Sequence, residues 1–565
     1  MTYTDEQNRI FEFVAKGEGH GIIDAVAGAG KTTTIIEAAK YTNHPNSLLF
    51  CAFNRSIAGE INNRFVEKRL FQVTTSTIHS LGLQILKTNL SSEKEIKLKE
   101  NKYQELINNS GIRKELLPRF KEILKINNLN YDEYAEKQNH EVNNLIWKIR
   151  RRLLEINQKY RLTLCKDNFT DLRNMVFHYG IFSEIEEAKR NIDTELELYF
   201  DAHQYLLTQA NKFSENHYII DYADMLYLPY KWKLQSPKKF GFLFIDECQD
   251  LSRSQLVVAL KYASKGSRIL SVGDPIQSIY GFSGADIESF NNIEKITNAK
   301  RLPLTTCFRC PKLVINLAQE FRSDIQGNKG YDGKVEEILI KDVVKSTEEN
   351  DLIVSRTKDP ILLLVFRFIE FEKKVRIHPD IAKDLIRRLR GLFQKELITR
   401  RIESFPGGFN GLKKEALDRQ GWIIRKEAKR IIDNQLREIH IKEELSVLES
   451  KLEFLHKRYE IWKKECSSLE DIFKKINEYI SEKENPITLS TIHTAKGLEA
   501  NRVFILDFEK LPLKRPEQKE WEKIQENNLK YVAITRAKEE LFLVSSEKIQ
   551  EQKDEGSLFD DLFDL

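Results

Sequence analysis

The sequence predicts an α/β protein with parallel sheets and a ligand crevice at the C-terminal ends of the strands. Three observations carry that prediction. Short apolar runs at 21–27, 242–245 and 269–272 each stop at glycine-rich or acidic residues. They alternate with helix-patterned stretches, the order expected when helical crossovers join parallel strands. The first run enters Ala25-Val26-Ala27-Gly28-Ala29-Gly30-Lys31-Thr32, a strand, glycine loop and helix start in succession.

Taken in order, a strand is expected over Gly21 to Ala27, a helix over Thr32 to Lys40, and further strands over Ser47 to Ala52 and Val73 to Ser76. From about Leu83 to Tyr218 the pattern turns to long charged helical stretches containing Lys148, Arg150, Arg151 and Arg152, which reads as an insertion. Strands return at Phe242 to Ile245 and Ile269 to Val272. A second αβ block starts near Arg301, is interrupted by helices, and resumes with Ile487 to Ser490, Val503 to Leu506 and Leu541 to Val544. The expected division is therefore 1–82 and 219–300 around an insertion at 83–218, then 301–375 and 486–550 around a second at 376–485, then an acidic tail at 551–565.

Inside the second interruption, Leu445, Leu448, Leu452, Leu455, Tyr459, Trp462, Cys466, Leu469, Phe473, Ile476 and Ile480 recur three and four residues apart. This heptad seam suits an antiparallel helical pair within the chain, joined through the Pro406-Gly407-Gly408 region, better than a dimerising coiled coil. A monomer is expected. The tail interleaves Leu558, Phe559, Leu562 and Phe563 with acids, and reads as a disordered end or, alternatively, as a peptide that docks on a protein partner.

At 565 residues the chain is too long for one core. With 41% hydrophobic and 31% charged residues it has the composition of a folded soluble protein, not a disordered one. No leader and no membrane-length apolar run is evident, so a cytoplasmic location is expected, nucleoid-associated in a bacterium, with no membrane partner. Of six scattered cysteines only Cys307 and Cys310 have metal-like spacing, and two ligands do not make a zinc site. A net charge of +4 is too small for a polycation, so nucleic acid would need a local groove.

The loop chemistry is specific. Backbone N–H groups around Ala27, Gly28, Ala29 and Gly30 can curl about phosphates, Lys31 can neutralise β and γ charges, and Thr32 can hold Mg²⁺, although Ala25 stands where a first glycine is usual. Asp246, after an apolar strand, is placed to serve the same metal, and Glu247 beside it to act as base for an attacking water. ATP and Mg²⁺ are the expected ligands.

Asp246-Glu247-Cys248-Gln249-Asp250, the segment Gly273 to Ala285, Thr491 to Glu499 and Tyr531-Val532-Ala533-Ile534-Thr535-Arg536-Ala537 together resemble the motifs of UvrD/Rep/PcrA-type superfamily-one helicases. Asn54-Arg55-Ser56-Ile57-Ala58 is more similar to F-box DNA helicases and phage relatives. The resemblance covers both sheet blocks, about half the chain. It implies two RecA-like P-loop domains, each carrying a helical insertion, and a motor that moves 3′ to 5′ on single-stranded DNA and opens duplex at junctions. It further implies that Gln7 recognises adenine, that Thr33 and Phe308 face the base, and that Gln277 senses the γ-phosphate. Arg309 and Arg536 become arginine fingers, suited by a planar permanent charge. Gly497 and Glu499 would lie beside the nucleotide, and Phe53, Asn54, Thr77, His79, Tyr280, Phe282 and His493 along the DNA. Phe282 replaces a usual tryptophan, Ser283 a usual arginine, and Thr33 an arginine often found against adenine. No nuclease-like acidic cluster follows the last motif. Rival readings are a translocase that strips proteins from DNA with little unwinding, and a binding scaffold with a decayed ATPase.

Overall fold

The computed structural model describes residues 3–42, 47–90, 95–129, 140–189, 191–281, 288–429, 434–480, 484, 486–516 and 518–545. Two compact units emerge: the first comprises 1–308, 324–326 and 514–528, the second 309–323, 327–513 and 529–565.

The first unit is built on a six-stranded parallel sheet. Its strands are β1 (Gly21–Ala25), β2 (Leu48–Ala52), β3 (Thr74–Thr77), β4 (Phe240–Ile245), β5 (Ala263–Gly273) and β6 (Lys300–Leu304). Their order across the sheet is β3-β2-β4-β5-β1-β6, and every adjacent pair is parallel. Ile22, Ile23, Leu49, Phe50, Leu243 and Phe244 are all buried, as expected of strands covered on both faces. One boundary moves. The run at 300–304 pairs with β1, so the first unit continues to Phe308 and the second block does not begin at Arg301.

The helical insertion has its own core. Leu116, Phe120, Ile149, Leu153, Tyr199 and Leu206 belong to one buried cluster that also takes in Met225, Tyr227 and Leu228 of the helix Tyr222–Lys231. Leu226 of the same helix belongs instead to the cluster beneath the sheet, so this helix ties insertion to sheet. A buried charge network reinforces the junction. Lys102 Nζ lies 2.7 Å from Asp224 Oδ2, and Arg161 Nη1 lies 2.9 Å from Asp224 Oδ1 and 2.6 Å from Asp221 Oδ1. Asp221 also caps the helix Tyr222–Lys231 by accepting from the Asp224 N–H.

The second unit repeats the plan with β7 (Lys334–Leu339), β8 (Leu352–Ser355), β9 (Val375–Ile377), β10 (Ile487–Thr491), β11 (Ala500–Leu506) and β12 (Ala537–Ser545). Their order is β7-β12-β11-β8-β10-β9, again wholly parallel. Between β9 and β10 lie the helices Pro379–Gly391, Gly408–Ala428, Asn434–Trp462 and Leu469–Tyr479. The heptad seam is broken at 463–468, and from Leu448 to Ile480 it is buried against Ile353, Leu489 and Phe504 of this unit's sheet. Burial inside the chain leaves that stripe no free face for a coiled-coil partner. Gly421 faces Leu445, as an antiparallel pair of Gly408–Ala428 and Asn434–Trp462 requires. Pro406-Gly407-Gly408 does not join that pair; it starts the first of the two helices, Gly407 taking a left-handed φ of +78°. The first of these helices runs through Ala428 and the second begins at Asn434.

Among the described residues no helix is long and apolar enough to cross a membrane. Cys307 and Cys310 are both buried, and among the described residues no group of three or more His, Cys, Asp or Glu is placed to hold a metal. The tail at 551–565 lies outside the described residues.

Asp224→Ala leaves buried Lys102 without its carboxylate and Arg161 with Asp221 alone, and should cost about 3–5 kcal/mol of stability. Urea unfolding measures it; a loss under about 1 kcal/mol would show that the network does not hold the insertion.

Candidate functional site

In a parallel sheet every loop leaving a strand's C-terminal end emerges on one edge, and β4, β5 and β1 are immediate neighbours. The loop after β4 carries Asp246 and Glu247, the loop after β5 carries Asp274 and Gln277, and the loop after β1 carries Gly28 to Thr32. Neighbouring strands lie roughly 4.8 Å apart, so the three loops stand abreast.

The loop after β1 turns through left-handed glycines, Gly28 at φ +67° and Gly30 at φ +73°, conformations a side chain would oppose. Gly30 is the N-cap of the helix Lys31–Ala38, which has no side-chain cap and therefore leaves its first N–H groups for an anion. Ala27 and Ala29 are fully buried, holding the loop from beneath, and Phe308 N–H donates to the Gly28 carbonyl at 2.9 Å. Gln7 is held by both ends of its amide: Nε2 donates to Thr34 Oγ1 at 3.0 Å and Oε1 accepts from the Thr4 N–H at 3.0 Å. Any contact from Gln7 to a base must share these groups. Thr33 is half-buried in the first turn of the same helix.

Thr32 Oγ1 donates to Asp246 Oδ2 at 3.3 Å, bringing together the two oxygens expected to hold magnesium. Burial first, and then the neighbouring Glu247 charge, push Asp246 up to about 7, while Lys31 pulls the other way. Two adjacent carboxylates, one of them buried, favour a hard cation, and hydroxyl plus carboxylate oxygen is the donor set for magnesium beside phosphate. The residues fit the ion.

Glu247 has a left-handed φ of +48° and ψ of 44°, a conformation costing on the order of 1–3 kcal/mol in a non-glycine residue. A hydrogen-bond chain ties its carboxylate to the loop after β5. Gln249 Nε2 donates to Glu247 Oε2 at 2.5 Å, Asp274 N–H donates to Gln249 Oε1 at 3.2 Å, and Gln277 Nε2 donates to Asp274 Oδ2 at 2.8 Å. Gly273 is what lets Gln249 in, since a Cβ there would sit 2.4 Å from Gln249 Oε1. Gln249 and Asp274 stand in motif segments that carry no local signal of this linking role; their full burial, 0% exposed each, and the hydrogen bonds between them assign it.

The remaining strands of this sheet carry the residues expected along a nucleic acid. Asn54 follows β2 and caps the helix Arg55–Glu67, and Thr77 ends β3 and caps the helix Ile78–Asn89. Phe53 and Tyr280 stack with ring centroids 5.8 Å apart. His79 lies edge-on to Tyr222 at 6.3 Å, its pKa lowered by burial. Phe282 and Ser283 lie outside the described residues.

In the second unit Arg309 Nε pairs with Glu499 Oε2 at 2.6 Å, and its Nη1 donates to the Thr535 carbonyl at 3.1 Å. Lys538 holds the other Glu499 oxygen at 2.7 Å. Burial pushes the Glu499 carboxyl up, but Arg309 and then Lys538 outweigh it and leave the pKa below its ordinary value. Arg536 is buried, 2% exposed; its Nε donates to the Val532 carbonyl at 2.9 Å and its Nη1 to the Leu498 carbonyl at 3.2 Å. Its fork thus ties the end of its own helix to the loop 497–499, in which Gly497 has φ +91°. His493 is half-buried after β10.

Residues 4–298, just over half the chain, match the UvrD/REP helicase N-terminal domain, and residues 367–548 match the UvrD-like helicase C-terminal domain. The chain belongs to the UvrD/REP helicase family. The paired parallel sheets are accordingly RecA-like domains. Similar proteins include ATP-dependent DNA helicase Rep of Buchnera aphidicola subsp. Schizaphis graminum, 23% identical over 64% of this chain and 52% of that protein. ATP-dependent DNA helicase PcrA of Staphylococcus aureus is 24% identical over 55% of this chain and 38% of its own length. The chain thus spans about half or less of the curated relatives it matches.

Gln249→Ala should lower ATP turnover on the order of tenfold to a hundredfold by freeing the Glu247 carboxylate, with nucleotide affinity little changed. Single-turnover kinetics beside equilibrium nucleotide binding separates the two effects. Unchanged turnover would dismiss Gln249 as the orienting group.

Proposed function

We propose that this protein is an ATP-dependent DNA helicase that moves 3′ to 5′ along single-stranded DNA and opens duplex at junctions. The observation that carries the reading is the continuous hydrogen-bond chain from Glu247 through Gln249 and Asp274 to Gln277, on the sheet edge that also bears the Gly28–Thr32 loop. Membership of the UvrD/REP helicase family and the names of the similar proteins support it.

Lys31 and the free N–H groups of its helix would bind the β and γ phosphates of the substrate. Thr32 and Asp246 would hold magnesium, which when bound supplies charge neutralisation at the phosphate oxygens. Glu247, its Oε2 already oriented by Gln249, takes the proton from the water that attacks the γ-phosphorus. Gln277, in the same chain, answers to whether that phosphate is present. Arg309 and Arg536 are proposed to stabilise the charge developing on the transferred phosphoryl group, Arg309 exchanging Glu499 and Arg536 exchanging its backbone acceptors for phosphate oxygens. Gln7, Thr33 and Phe308 are proposed to face the base, and Gly497 and Glu499 to lie beside the nucleotide. Phe53, Tyr280, Phe282 and His493, with Asn54, Thr77 and His79, are proposed to meet the strand, where aromatic stacking is worth roughly 1–3 kcal/mol per base.

Lys31→Ala should weaken ATP binding and turnover together, whereas Glu247→Gln should keep binding and lose turnover by orders of magnitude. Wild-type turnover in the glutamine variant would remove Glu247 as the base. With ATP and Mg²⁺, a duplex carrying a 3′ overhang should be unwound and its 5′ counterpart poorly, and the rate should fall as salt rises. Preferential opening from the 5′ overhang would reverse the polarity. Release of a strand-bound protein without unwinding would favour the protein-stripping translocase.

A further inference from the structure

Side chains from two separate parts of the first unit converge on the backbone directly after Gln277. Asn528 Nδ2 donates to the Ser278 carbonyl at 2.9 Å, and the Gly281 N–H donates to Gln525 Oε1 at 3.1 Å. Lys159 Nζ, from the insertion helix His140–Thr163, donates to the Gly281 carbonyl at 3.5 Å. Trp521 closes the remaining side, so near that a Cβ on Gly281 would lie 2.8 Å from its indole ring. Gln525 and Asn528 stand three residues apart on one face of the helix Glu520–Ile534 and are only 7% and 2% exposed. Amides buried this deeply would be costly without partners, and they meet the segment through both a donor and an acceptor.

The helix is in turn anchored to the insertion. Trp521 Nε1 donates to the His178 carbonyl at 2.5 Å, and Lys519 pairs with Glu187 at 2.7 Å. The clamped stretch is short and has a different contact at each end. Gln277 joins the Asp274, Gln249 and Glu247 chain, while the Tyr280 ring stacks on Phe53 at the edge of β2.

We propose that Gln525 and Asn528 are positioning residues that couple nucleotide chemistry to strand binding, by holding in one register the backbone from Ser278 to Gly281, which follows Gln277 and carries Tyr280. This rests on the helicase reading above. Their hydrogen bonds go to the Gly281 N–H and the Ser278 carbonyl and not to the phosphate loop or the Phe53 and Tyr280 rings, so the loss of either amide leaves both ends in place and loosens the link between them. The effect appears in the ratio of strand-stimulated to basal turnover and not in basal turnover itself.

The test measures basal and single-stranded-DNA-stimulated ATPase of the full chain, with the ATP KM and thermal unfolding midpoint of each variant. Gln525→Leu, which removes the acceptor, and Asn528→Asp, which sets a carboxylate against the Ser278 carbonyl, should each lose at least about fivefold of the stimulation with basal turnover and KM unchanged. Gln525→Glu keeps an acceptor oxygen and should retain the stimulation. Asn528→Ala, which removes the donor without adding charge, replaces the aspartate variant should that one fail to fold. Wild-type stimulation in the leucine variant and in the Asn528 variant would overturn the coupling. A parallel fall of basal and stimulated rates, or an equal loss in Gln525→Glu, would overturn it too, as the mark of simple packing. Absence of any stimulation in the wild-type protein would instead overturn the helicase reading, and the coupling with it.

Discussion

The site depends on one geometric constraint, the adjacency of β4, β5 and β1 in a wholly parallel sheet. Because parallel strands end on a common edge, three loops far apart in sequence become neighbours there. Asp246 follows β4, Gln277 follows β5, and Lys31 follows β1. A carboxylate buried beside a second one is unfavourable unless a cation or a donor meets it. Thr32, Lys31 and the Gln249 amide are the groups that answer that demand. The same edge continues through β2 and β3, where Phe53, Asn54 and Thr77 stand, so the proposed nucleotide half and the proposed strand half lie along one sheet.

The second unit applies the same plan to a different end. Its arginines are engaged, Arg309 with Glu499 and Thr535, Arg536 with the carbonyls of Val532 and Leu498. For the role proposed for them, a fork held by a carboxylate or a carbonyl stays available to phosphate oxygens, which offer the same fork-shaped acceptor at higher charge. The exchange proposed above would cost less for partly buried Arg309 than for Arg536, whose departure would leave the Val532 and Leu498 carbonyls without that donor.

The insertions are not appendages. The first shares the helix Tyr222–Lys231 between its own core and the sheet, with the Lys102, Arg161, Asp221 and Asp224 network at the junction. The second buries its heptad seam on its sheet. A displacement of either insertion therefore acts on a β-sheet through packed side chains, and the first reaches Gly281 directly through Lys159.

By itself the sequence determined the elements: apolar runs ending in Gly28-Ala29-Gly30-Lys31-Thr32 and in Asp246-Glu247 specify strands and turns through local periodicity and backbone freedom, and supply the residue types on which the proposed ligand chemistry rests. It also marked the helical stretches that interrupt each run of strands and the apolar stripe that lies buried in the second of them. What it left open is long-range. Lys300–Leu304 reads as the start of a new block because nothing in five residues says that β1, nearly the whole first unit earlier in the chain, is their partner. Pro406-Gly407-Gly408 reads as a hairpin turn, since glycine and proline mark a helix start and a loop alike. Gln249, Asp274, Gln525 and Asn528 are ordinary polar residues in sequence, and only tertiary packing gave them roles. Hydrogen bonding at these sites is set by which strands lie side by side, and strand order is decided by the free energy of the whole core, not by any local stretch of chain.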